Sequence, residues 1–216
     1  MDEKLLSCID CAMNNCEQRD AVHPAFCPTT SFNLANEPLL QERLAEDVNR
    51  RMIDSAAYSA HGAHRETLSH LEETIIFARR FGAKRLGIAS CISLASEARA
   101  AAQVFRAQGF EVVGAICKMG AVTFGDLDVP CDERGPEAVL CNLIYQAQML
   151  NEAHTDLNVV MGLCTGHDAL FLKYAEAPCT LLTAKDFKFD HNPVRALRPG
   201  DESGTFEKLV SERVDW

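Results

Sequence analysis

The chain has 216 residues, 47% of them hydrophobic, and its 31 acidic and 21 basic side chains leave a formal net charge of -10. That length and apolar content suffice for one substantial core. The acidic balance leaves no surplus of cations for phosphates and no basic, aromatic-rich stretch for bases, so nucleic acid is excluded as an expected partner. The opening MDEKLLSCIDCAMNN carries acids and lacks the apolar centre of a signal peptide. No apolar run approaches the roughly 20 residues of a membrane span. The expectation is a cytoplasmic protein with no membrane partner. Ten cysteines in a reducing compartment point to metal or redox chemistry rather than to structural disulfides.

In chain order, residues 1–34 hold Cys8-x2-Cys11-x4-Cys16-x10-Cys27 with Pro24 and Pro28 and show no sustained periodicity, which reads as a loop-built cysteine knuckle. After Asn36, Leu40, Leu44, Val48 and Met52 recur with helical spacing. A second helix is predicted over 65–81, stopped by Gly82. A βαβ unit follows: strand 85–90, helix 95–108 with Ala98, Ala101, Ala102 and Phe105 inward, and strand 110–116. Residues 119–136, broken by glycine and proline and carrying Asp126, Asp128, Asp132 and Glu133, read as a long loop. A helix over 137–151, a strand over 157–163, a short helix over 167–175 and a strand over 179–184 complete the pattern. The alternation predicts an α/β fold: a three-layer domain with a mostly parallel sheet of at least four strands, preceded by the cysteine-rich knuckle. The segments are then 1–34, the α/β part with its connecting helices over 35–197, and a polar tail over 198–216 that covers a surface or frays.

Two cysteine sets carry the candidate chemistry. Cys8, Cys11, Cys16 and Cys27 are soft ligands in a number that completes a tetrahedral zinc site or a [4Fe-4S] cluster, and Cys27 precedes Pro28 as in ferredoxin-type runs. The second set, Cys91, Cys117 and Cys164, ends three apolar runs. Strand C-termini of a parallel sheet open onto one crevice, where ligands bind. Cys141, expected near the first turn of its helix, joins them where free N–H groups favour a thiolate. Each of these four also fits the plainer role of a small buried side chain. Cys131 reads as a loop thiol and Cys179 as core.

Around this crevice, His167 and Asp168 open a helix, with Asp168 suited to its exposed amides and His167 to a ligand, a proton donor or a structural role. Lys185 suits a thiolate or a bound anion, and His191 leaves the same sheet edge. These four are the candidate catalytic residues, without a reaction assigned. His61, His64 and His70 read as surface residues. There is no GxGxxG and no GxxxxGK[ST], and no local signature supports a hydrolase built on Cys164 and His167.

The segments CIDCAMNNCEQRD with Cys27, GIASCISLASEA, ICKMG, CNLIYQAQMLN, LNVVMGLCTGHDALFLKYAEAP and HNPVRAL resemble DUF1847, a family of predicted metal-binding proteins common in anaerobic bacteria and archaea. The likeness runs to about Leu197; Leu143 departs from it, standing where the family carries proline. The resemblance implies metal binding through the named cysteines and no known reaction. Together with the thiol spacing it supports an iron-sulfur redox protein with one or two [4Fe-4S] clusters, a small anionic or thiol-reactive substrate and an electron-transfer partner. A zinc-binding structural or regulatory module and a metal storage or delivery protein are the competing readings.

Overall fold

Strands covered on both faces need apolar residues at every position rather than at alternate ones, and RLGIAS and LNVVM have that character. In a computed structural model describing residues 7–18, 20–61, 67–131 and 133–214, they are the buried centre of a parallel sheet. Its strands are β1 (Arg85–Ser90), β2 (Glu111–Ile116), β3 (Leu157–Met161) and β4 (Cys179–Thr183), in the order β2-β1-β3-β4. The register pairs Ser90 with Ile116 on one side and with Met161 on the other. Cys91 and Cys117 therefore leave the sheet at one level.

The helices among the described residues are α1 (Pro38–Ala45), α2 (Asp47–His61), α3 (His70–Phe81), α4 (Ala95–Ala107), α5 (Leu143–Glu152), α6 (His167–Tyr174) and α7 (Thr205–Ser211). Ser69 and Glu72 close a capping box at the start of α3, and Gly82 ends it at φ 85°. α5 and α6 pack on one face of the sheet, where Leu143, Ala147, Leu150 and Phe171 meet Ala89, Ala115 and Val160. α4 lies across the opposite face, toward which Ile88, Gly114 and Ile116 point. These are the three layers of the expected fold. Phe105 and Phe171, both 0% exposed, each contribute about 2–3 kcal/mol through burial.

The chain divides into two units, Met1–Ile53 and Asp54–Trp216. The first holds short 3-10 turns at Cys8–Asp10, Pro28–Thr30 and Leu34–Asn36, then α1 and the start of α2. The second holds the sheet.

Several elements differ from the sequence reading. The helix after Asn36 is two helices, because Glu46 turns extended (ψ 133°) and the Asn49 amide donates to the Arg43 carbonyl at 2.8 Å while Asp47 starts a new first turn. Leu40 and Val48 remain exposed. The helix expected over 137–151 begins only at Leu143, since the preceding backbone bonds elsewhere: Leu140 N–H to Val122 O, and Asn142 N–H to Cys117 O at 2.8 Å. Asn142 then caps α5 by accepting from Tyr145 N–H. The tail is more ordered than expected, with a 3-10 turn at Pro193–Leu197 and α7 beyond it, tied by Arg195 to Asp201. His64, Asp132 and the first residues of the helix predicted from 65 lie outside the described residues.

Candidate functional site

β1 runs through α4 to β2 at one edge, while β3 runs through α6 to β4 at the other, and α4 and α6 cover opposite faces. The loops after β1 and β3 therefore diverge, and between them lies the crevice where open α/β sheets bind ligands. Cys91 follows β1 directly; its N–H donates to Met161 O. Cys164 follows β3 after a turn at Gly162, whose φ of 58° suits glycine. Any side chain there would also strike Leu94, since an added Cβ falls 2.7 Å from its Cδ2.

Lys185, beyond β4, spans this gap. Its Nζ donates to Cys91 Sγ at 3.1 Å and to Cys164 Sγ at 3.2 Å. Those two sulfurs cannot be farther apart than the two contacts laid end to end. Burial raises the Cys91 thiol, but hydrogen bonds from Ser93 and Lys185 outweigh it and bring it down to about 7. Burial likewise disfavours the Lys185 charge, and the two sulfurs reverse that and raise it. Cys91 is thus held with thiolate character beside a cation.

Cys117, at the end of β2, has Sγ 3.6 Å from Cys141 Sγ. Burial pushes the Cys117 thiol up to about 12; the Ile92 N–H opposes this, and the Cys141 and Cys91 sulfurs add to it. Cys141 stands before the Asn142 cap rather than within the first turn of α5, so the helix-start argument for its thiolate does not apply. Its position comes instead from Asn142 bonding Cys117 O. Beneath both strand ends lies Gln146, 0% exposed, which donates to Ser90 O at 3.1 Å and to Ala115 O at 2.7 Å. Sequence reasoning missed this clamp, because a polar residue inside a helical pattern reads as solvent-facing.

His167 opens α6. Burial lowers it, and the nearby charges of Lys118 and Lys185 lower it further against Asp168. Asp168 turns its carboxylate onto Gly166 N–H and Ala169 N–H, the plainer helix-start role. Lys118 donates to Val139 O. His191 accepts Asp186 N–H on Nδ1 at 3.1 Å and is electrostatically coupled to Glu97. Cys179 is partly buried, which raises its thiol, and Cys131 is exposed.

The donor set suits a soft metal. Two thiolates on one tetrahedral ion with bonds of ~2.3 Å lie about 3.8 Å apart, whereas ligands of a cubane lie roughly 6–7 Å apart. The Cys117–Cys141 separation matches the first. Among the described residues no three His, Cys, Asp or Glu side chains are arranged to enclose an ion; the four sulfurs stand as two pairs. In the N-terminal unit Cys8 opens a 3-10 turn that Cys11 ends, and Cys27 precedes the turn at Pro28. Hydrogen bonding to Thr29 lowers the Cys27 thiol.

Fold and site together define an α/β protein with a thiol-lined crevice at the C-terminal edge of a parallel sheet. The chain belongs to the DUF1847 family, described as a protein of unknown function, whose model matches residues 27–182. It is 35% identical over 156 residues to the uncharacterized protein MJ0455 of Methanocaldococcus jannaschii, covering 72% of this chain and 80% of that one. No solved structure matches. The family match contains all the sheet-edge cysteines and begins at Cys27, so Cys8, Cys11 and Cys16 precede it. No helix among the described residues is long and apolar enough to cross a membrane.

Proposed function

We propose that this protein holds a cysteine-ligated metal centre at the C-terminal edge of its sheet, through Cys91, Cys117, Cys141 and Cys164, and that the centre is an iron-sulfur cluster used for electron transfer. The observation that supports it most is two thiol pairs at one sheet edge, Cys117 with Cys141 at 3.6 Å and Cys91 with Cys164 on either side of the Lys185 ammonium. Four thiolates make any such centre anionic, and Lys118 and Lys185 supply compensating charge. The 3.6 Å pair favours Cys117 and Cys141 sharing one metal atom, as in a [2Fe-2S] centre; a cubane requires those side chains to swing apart. The same spacing suits a single zinc, and a zinc-binding structural module is the second reading. Cys8, Cys11, Cys16 and Cys27 are the ligands of a second centre in this proposal. The partners in this proposal are an electron-transfer protein and a small anionic or thiol-reactive substrate.

Anaerobic purification followed by iron, sulfide and zinc analysis and a visible spectrum tests it. Iron with sulfide and broad visible absorption is expected. Cys117→Ser and Cys164→Ser should each lose the sheet-edge metal with the fold retained, whereas Cys11→Ser should lose only the N-terminal share. Stoichiometric zinc without colour rejects the iron-sulfur reading, and full metal content in Cys164→Ser rejects the sheet-edge site.

A further inference from the structure

On the face of the sheet away from Cys117 and Cys141, α4 and β2 enclose a hollow of about 380 Å³. Its size falls within the range of small-molecule sites, which are apolar with a few convergent polar groups. The hollow exists because both walls are built from the smallest residues. Ala98 and Ala102 face it from α4, and Gly114 faces it from the middle of β2. Ile88 and Ile116 complete an apolar floor.

Gly114 is the informative residue. Glycine weakens a strand interior, and where one stands there the usual reason is a bulge or the close approach of another group. β2 pairs with β1 in unbroken register through Gly114, so there is no bulge. A Cβ built at Gly114 meets nothing within 4 Å, so no neighbour within the described fold demands the glycine. What it does is keep the hollow open.

The rim is cationic. Arg99, Gln103 and Arg106 stand along α4 at the mouth, and no carboxylate lines it among the described residues, in a chain with 31 acidic side chains. Arg106 donates to Val112 O, which fixes its guanidinium at the edge of β2. Among the described residues the side chains of Arg99 and Gln103 have no hydrogen bond or ion pair. Guanidinium and carboxamide donors above a flat apolar floor suit a planar carboxylate, because the guanidinium fork matches two carboxylate oxygens.

We propose that this hollow binds a small aromatic or alicyclic carboxylate, its ring against Gly114 and Ile116 and its carboxylate on Arg99 and Gln103. The site is separate from the cysteines and does not depend on a metal.

The test uses the full chain, titrated by calorimetry and ligand-observed NMR with naphthalene-2-carboxylate and, as the neutral counterpart, naphthalene-2-methanol. The carboxylate should bind at least about tenfold more tightly than the alcohol, the ratio expected for one charge-assisted pair. Arg99→Met should remove that preference and leave the alcohol unchanged. Gly114→Leu puts a side chain into the hollow from a Cβ that meets nothing within 4 Å; it should abolish binding of both probes while the circular dichroism spectrum and melting temperature are kept. Binding should persist in Cys164→Ser, which separates this site from the metal centre. No carboxylate binding at millimolar concentration, or equal binding to Gly114→Leu, overturns the proposal. So does a concentration-dependent dimer in sedimentation that Gly114→Leu abolishes, because the hollow would then be a contact between two copies of the chain.

Discussion

Replacing Gln146 tests whether the ends of β1 and β2 are held by a buried polar clamp. The side chain is 0% exposed, donates to Ser90 O and Ala115 O, and leaves its own Oε1 without a partner among the described residues. Gln146→Met keeps the volume and loses two hydrogen bonds, about 1 kcal/mol each, but also removes a buried unpartnered oxygen that costs about 1–3 kcal/mol. The two nearly cancel, so the methionine variant should lie within about 1 kcal/mol of the parent. Gln146→Glu keeps the shape and inverts the chemistry, because a carboxylate there faces two carbonyl oxygens in a dry site. Its pKa should rise by several units. The sign follows from linkage: a carboxyl with a raised native pKa is protonated in the fold and ionised when unfolded. The variant should therefore match the methionine form at about pH 4 and lose roughly 1.4 kcal/mol for each pH unit above the unfolded pKa of ~4.3. Guanidinium denaturation of reduced, chelator-treated protein at pH 5 and pH 8 measures it, with each value taken relative to the parent at the same pH. A glutamate variant as stable as the parent at pH 8, or a methionine variant losing more than about 3 kcal/mol, would refute the reasoning.

His70 Nε2–H donates to Leu181 O at 2.8 Å, and its Nδ1 lies 3.1 Å from a Glu73 carboxylate oxygen; the Leu181 carbonyl raises its pKa, burial opposes, and Glu73 adds to the rise. A raised native histidine pKa stabilises fully below about 6.5 and loses that stabilisation as pH climbs through the native value, so His70→Gln should flatten the fall in stability between pH 6 and pH 8; an unchanged slope denies the Leu181 contact. Gly162→Ala combines a φ of 58° with a Cβ 2.7 Å from buried Leu94. It should cost about 2–4 kcal/mol, read by denaturation, and a loss under about 1 kcal/mol would show that the two loops yield easily.

The sheet was legible because burial on both faces leaves its mark in the strands themselves. Leu86, Ile88, Val159 and Val160 are apolar without alternation, and the helices between them repeat at 3.6 residues. Helix starts were less legible. Cys141 lies in a stretch whose composition continues the α5 pattern backward, and only the bonding of Asn142 to Cys117 O ends it. The break at Glu46 has a similar origin, in the Asn49 amide that donates to Arg43 O and competes locally with the helix. α7 went unread because seven residues, Thr205–Ser211, carry too little periodicity to register.

Strand order explains what could be foreseen of the crevice and what could not. Any parallel arrangement puts Cys91, Cys117 and Cys164 at one edge, because each follows a strand. The order β2-β1-β3-β4 puts the strand of Cys91 between the other two, so that it adjoins both, while the strands of Cys117 and Cys164 lie two spacings of about 4.8 Å apart. The same order puts the reversal of direction between β1 and β3. There Cys91 and Cys164 diverge and Lys185, arriving from β4, closes the gap. The sequence reading put Lys185 at this edge as a partner for a thiolate, but not the two cysteines it bridges, because they are 94 and 21 residues away. The two sulfur pairs therefore have different physical settings. Burial beside Cys141 disfavours the thiolate of Cys117, whereas the Lys185 ammonium shared by Cys91 and Cys164 favours that of Cys91. In the proposed metal site Cys91 is the thiol already prepared to bind, and the metal would itself have to supply the charge that lets Cys117 ionise.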